Sequence, residues 1–243
     1  LVWLEILAVL TWGILLVKYW VTDQIHILLH PDYTWLALST GLLLIGLALL
    51  RTGQRLRIRR YGLNSPAGQH LALLPRKWSS GLLLAVALLG LGFTPQPFAS
   101  QVAINRGVTD TLTLTRSQPQ AFRTKSRPDQ RSLIDWIRTL NVYPEPDAYS
   151  GQPVNVEGFV ILSPHLSQGY FTLARFVITC CAADAYPVGL PVKLPAGQVV
   201  PKADIWLQVK GEMITETLNG QRQLVIQATN IGEISAPANP YSY

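Results

Sequence analysis

The residues best suited to chemistry stand together in the last third of the chain. The stretch Arg175-Phe-Val-Ile-Thr-Cys180-Cys181-Ala-Ala-Asp184-Ala-Tyr-Pro-Val-Gly189 holds both cysteines, side by side, after an apolar run and before a Pro/Gly turn. Side chains of a strand alternate between its faces. Phe176, Ile178 and Cys180 are therefore expected on one face, and Arg175, Thr179 and Cys181 on the other. This assigns Cys180 to the core as a small residue and Cys181 to a polar surface, where Arg175 would favour its thiolate; a bulge between Phe176 and Cys180 would exchange these roles. Asp184 is expected to form the turn that follows.

Four readings of the pair stay open. The thiols can be structural. They can form a vicinal disulfide in an oxidising compartment, strained because adjacent Cα atoms are only about 3.8 Å apart, whereas disulfides usually span roughly 4.4–6.8 Å. Cys181, Asp184 and His165 can hold a metal ion, although a closed zinc site takes four donors. The last reading is pairing with a cysteine of another protein. A second metal candidate is His26 and His30, four apart with Asp32 beside them. No cofactor other than such an ion is called for. The chain has no Cys-x-x-Cys, Gly-x-Ser-x-Gly, Walker, His-Glu-x-x-His or dinucleotide-binding motif, so an enzyme is not expected.

The elements that must position the cysteines alternate with period two. Val154, Val156, Val160 and Leu162 mark a first strand, with Gly158 a bulge or close-packing point. Tyr170–Cys181 makes a longer second strand. Val188–Leu194 is a short third, broken by Pro191, and Ile205, Leu207 and Val209 mark a fourth that Gly211 ends. Asn219-Gly220 signals a hairpin into Leu224, Ile226 and Ala228. Ahead of them, Ser132–Val142 has the spacing of a short amphipathic helix, stopped by Tyr143-Pro-Glu-Pro. Five short strands predict an all-β domain over 132–243, an OB-fold-like barrel first and a small β-sandwich second. Residues 95–243 carry twelve Lys/Arg against eleven acids. That near-neutral balance excludes nucleic acid as the partner.

Residues 1–98 have another character. Three apolar runs, at about 1–21, 33–50 and 78–94, predict three transmembrane helices, since a bilayer core needs about 20 residues and no fewer than about 17. Tyr19, Trp20, Tyr33, Trp35 and Trp78 lie near their ends, where interfacial aromatics belong. Between the second and third runs stand Arg51, Arg55, Arg57, Arg59, Arg60, Arg76 and Lys77 with no acid among them. The positive-inside rule puts this loop and the N-terminus in the cytoplasm and everything beyond Phe98 outside. Cleavage after Phe98-Ala-Ser100, which looks like the end of a signal, is the minor alternative. Glu5 is an ionisable group within an apolar helix. The chain starts at Leu1 and its only methionine is Met213, so a few residues are expected ahead of it. Residues 99–131, rich in Pro, Gln, Ser, Thr and Arg, are expected to be a tether outside the membrane.

Three segments resemble a family of bacterial membrane proteins described as the second subunit of a two-component permease: Tyr149-Ser-Gly151-Gln-Pro-Val154-Asn-Val156-Glu-Gly158-Phe-Val, Ala174-Arg-Phe-Val-Ile-Thr-Cys-Cys-Ala-Ala-Asp-Ala and Pro237-Ala-Asn-Pro-Tyr241-Ser-Tyr. The resemblance covers about Tyr149 to Tyr243 and the layout of N-terminal helices. It implies a polytopic permease as partner, beside the lipid bilayer; the apolar runs themselves place the chain as an integral protein of the inner or plasma membrane. The chain lacks the His-rich cytoplasmic segment of some members, so the resemblance lends metal handling no support from that side. The expected function is that of an accessory permease subunit presenting an outer β-domain. A thiol-dependent metal or redox protein of the cell envelope is the alternative, with Arg175, Cys180, Cys181 and Asp184 the candidate residues.

Overall fold

A computed structural model describes residues 2–61, 75–108, 127–163 and 166–243. The chain divides into two compact units, Leu1–Gln96 and Pro97–Tyr243.

The first unit is helical. Helix α1 (Val2–Val21) and helix α2 (Pro31–Tyr61) are joined by a short 3-10 turn, Gln24–Ile27. They pack antiparallel at backbone distance. A Cβ on Gly13 would lie 2.7 Å from Ile45 Cγ1 and 2.9 Å from the Gly41 carbonyl, so only glycine permits this approach. Helix α3 (Arg76–Gly92) runs parallel to α1. The Trp12 indole donates to the Leu83 carbonyl at 3.0 Å, and the Tyr19 hydroxyl to the Gly90 carbonyl at 2.7 Å. Each contact advances seven residues on both helices. Lys18 then donates to the Leu91 carbonyl at 2.7 Å, a cation at the negative end of α3.

Among the described residues two helices, rather than the three expected, are long and apolar enough to cross a membrane: Val2–Val21 and Pro31–Ile58. Helix α3 has 17 residues, and its apolar part, Trp78–Gly92, is shorter still. Helix α2 outruns the predicted 33–50. It carries the start of the basic loop as more than two further turns, with Arg51, Arg55 and Arg57 exposed. Glu5 lies in the first turn of α1.

The second unit is a six-stranded sheet covered by one amphipathic helix. Strands β1 (Pro153–Ile161), β2 (Tyr170–Val177), β3 (Tyr186–Lys193), β4 (Trp206–Leu218), β5 (Gln221–Ile234) and β6 (Tyr241–Ser242) lie in the order β1-β4-β5-β3-β2-β6, and β1 also pairs with β2. All pairs are antiparallel except β3–β5 and β2–β6. Helix α5 (Leu133–Val142) is capped by Ser132 and Asp135 in a reciprocal box. It buries Leu133, Ile134, Trp136, Ile137 and Leu140 in the core that the sheet provides.

Several expectations change here. Among the described residues there are six strands rather than five, because Tyr241 and Ser242 add to the edge of β2. Pro191 does not break β3 but pairs within it opposite Thr172. Gly211 does not end β4. The register shifts between Lys210 and Gly211, and a Cβ there would fall 2.0 Å from the Gln227 carbonyl. The glycine thus lets a bulge pass and the strand continue. Asn219 and Gly220 make the predicted turn, both at positive φ. Gly158 is a close-packing point, where a Cβ would meet the Ala174 carbonyl at 2.7 Å.

The segment expected to be a tether is partly structured. Helix α4 (Ser100–Arg106) packs against β1 and β3 and buries Ala103 completely. Phe98 closes on Phe176 at 5.4 Å between ring centroids. Residues 109–126, the middle of that segment, lie outside the described residues.

Candidate thiol–carboxylate site

The site is the loop between β2 and β3. Strand β2 stops at Val177, four residues before the predicted end. The next residue, Ile178, is buried, and its N–H donates to the Ser242 carbonyl at 3.1 Å. From Thr179 onward the amides turn away from the sheet to a single acceptor, the Asp184 carboxylate. It takes the N–H groups of Thr179 at 3.3 Å, Cys180 at 2.8 Å and Cys181 at 3.3 Å, and also the Thr179 hydroxyl. Three successive amides aimed at one anion form a nest. In return the Asp184 N–H donates to the Cys181 carbonyl at 3.1 Å, which closes the 3-10 turn Ala182–Asp184. The far side is held by Arg106, which donates to the Ala185 carbonyl.

This turn overturns the expected facing of the cysteines. Cys180 is exposed and Cys181 half-buried, both as free thiols. Strand alternation does not reach them, because the carboxylate has already drawn the backbone off the strand. Their sulfurs lie 3.7 Å apart.

Arg175 does not join them. Its guanidinium lies 5.2 Å over the Trp206 ring, and its Nε is buried with no hydrogen-bond partner. Burial lowers its pKa, against an opposing pull from Glu157. Arg175 therefore packs the domain and does not activate a thiolate. Cys180 is in fact pushed up to about 11 by its hydrogen bonds to the Asp184 carboxylate and to Cys181, with a smaller contribution from burial. A thiol held protonated next to a carboxylate is a poor nucleophile. Burial alone would raise Asp184, but hydrogen bonds from Thr179 and Cys180 outweigh it and hold the carboxylate below its ordinary value.

Among the described residues, Cys180, Cys181 and Asp184 are the group of side chains able to share a metal ion, with donor atoms all within 4.8 Å of one another. His165 lies outside the described residues. His26 and His30 do not converge. His26 Nε2 faces Asp23 at 3.1 Å, and His30 Nδ1 accepts the Asp32 N–H at 3.2 Å. Thr179 and strand β6 were missed in the sequence, although both build the loop. The aromatic pair in Tyr241-Ser-Tyr243 was the available sign of a strand.

Comparison of the whole chain with curated proteins gives no match. Residues 129–243, which take in α5, all six strands and the thiol–carboxylate loop, match the family model of the DUF1980 C-terminal domain.

Proposed function

We propose that this chain is the membrane-anchored accessory subunit of a two-component permease, presenting its β-domain outside the cytoplasm to a polytopic partner. The observation that carries the reading is the surface of the helical unit. Leu42, Leu43, Leu47, Leu49 and Leu50 on α2, and Leu82, Leu83, Leu88 and Leu89 on α3, are exposed large apolar residues. Such faces suit lipid and neighbouring helices. The inner contacts close at Gly13 and Gly41 and leave no room between those two helices. The unit suits anchoring and assembly better than conduction.

In this reading α3 crosses beside α1 as a third span. Its parallel packing along α1 supports that, and its apolar part, Trp78–Gly92, falls just under the usual lower limit of about 17 residues. Three crossings with the basic loop inside carry the β-domain to the outer side. The domain itself is best described as an OB-fold-like barrel. What supports this is the cycle of pairings β1–β4–β5–β3–β2–β1, with β3 and β5 parallel. Fold alone assigns no ligand.

The test is extraction of the tagged chain from its own membranes in several mild detergents. Recovery with a multi-helix membrane protein is expected. Recovery of the chain alone in every detergent would remove the reading.

A further inference from the structure

The two sulfurs are spaced as ligands rather than as a bond. Two thiolates on a tetrahedral ion, each at about 2.3 Å, stand roughly 3.8 Å apart. The Cys180 and Cys181 sulfurs stand 3.7 Å apart. A disulfide would need them at about 2.05 Å. Both sulfurs also lie within 4.8 Å of an Asp184 oxygen.

We propose that a thiophilic divalent cation of the zinc type is bound here by Cys180 Sγ, Cys181 Sγ and one Asp184 oxygen. Two thiol protons leave as one divalent ion enters. Two sulfur donors select against magnesium and calcium, which prefer oxygen. The amides of Thr179, Cys180 and Cys181 fix the carboxylate, the orienting support that metal ligands need. Three protein donors leave a fourth position, and Cys180 is exposed. A closed four-donor site is structural, whereas an open fourth position takes a water molecule or another ligand. This inference goes beyond the permease reading and does not depend on it.

The test uses the full chain purified in detergent, stripped of metal and kept reduced, with both thiols confirmed free by titration. Co²⁺ is added first as a spectroscopic probe, then Zn²⁺ in competition with a chromogenic chelator. One Co²⁺ per chain is expected, with a thiolate-to-cobalt charge-transfer band and the intense visible bands of four-coordination. Zn²⁺ should displace it, and a large excess of Mg²⁺ should not. Cys180→Ser and Cys181→Ser should each weaken Zn²⁺ binding roughly tenfold or more, with unchanged thermal unfolding showing that the variants fold. Absence of the charge-transfer band in the wild-type chain would overturn the proposal. So would Zn²⁺ affinity unchanged in the folded double variant, which would put the ion elsewhere. Neither result bears on recovery of a membrane partner.

Discussion

The backbone N–H of Cys180 donates to the carboxylate of Asp184, four residues ahead, at 2.8 Å. That one relationship ends β2, turns the chain and sets both sulfurs at the rim of an anion. Removing the acceptor would strand the amides of Thr179, Cys180 and Cys181. Asp184→Ala is therefore expected to lower stability by about 1–3 kcal/mol. Hydrogen exchange checks the cause: protection should fall at those three amides and persist at Leu173 in the centre of β2. Unchanged exchange at all three would show that the carboxylate does not hold the loop.

A second carboxylate gives a pH signature. Burial alone would raise the Glu216 pKa, but hydrogen bonds from Lys193 and Tyr170 hold it below its ordinary value. A depressed carboxylate contributes stability above its unfolded pKa, about 4.3, and loses it as pH falls through the folded value. Glu216 is partly exposed, so Glu216→Gln should cost about 0.2–1 kcal/mol at neutral pH. The gap from wild type should close below about pH 4. Thermal unfolding across this range would expose the error if the gap widened in acid.

The helical unit can be tested by contrast between two glycines. Gly13 has no room for a Cβ, whereas nothing lies within 4 Å of the Cβ position of Gly46. Gly13→Val should overpack the α1–α2 contact at a cost of about 1–3 kcal/mol. Gly46→Ala should be neutral or slightly stabilising. Equal melting temperatures in detergent for both variants would mean that the helices do not meet at Gly13.

Orientation rests on the seven-charge basic loop between Arg51 and Lys77. In a background lacking Cys180 and Cys181, Ser65→Cys should resist impermeant thiol reagents in intact cells, and Ser126→Cys should react. The opposite labelling would move the β-domain to the cytoplasm.

The strands were legible wherever one face is buried, as with Val154 and Val156 on β1 or Leu207 and Val209 on β4, because alternation follows from burial. Legibility failed where a single tertiary bond overrides the pattern. The apolar run Phe176-Val-Ile continues smoothly toward Cys180. Only a carboxylate four residues beyond Cys180, folded back on the chain, reveals that the strand has ended. Gly211 misled for a similar reason, since a bulge and a strand end share the same residue. Strand β6 has two residues, too few for any period. Helix α3 looked long enough to span when its apolar run was carried on past Gly92, but Phe93 is extended and ends it.

The proposed association with a polytopic partner is read most directly from the mass of the extracted particle. Native mass spectrometry of the particle extracted from the chain's own membranes should give this chain plus one multi-helix membrane protein, separable by harsher detergent. A particle whose mass is only a whole-number multiple of this chain's, in every mild detergent tried, would contradict it.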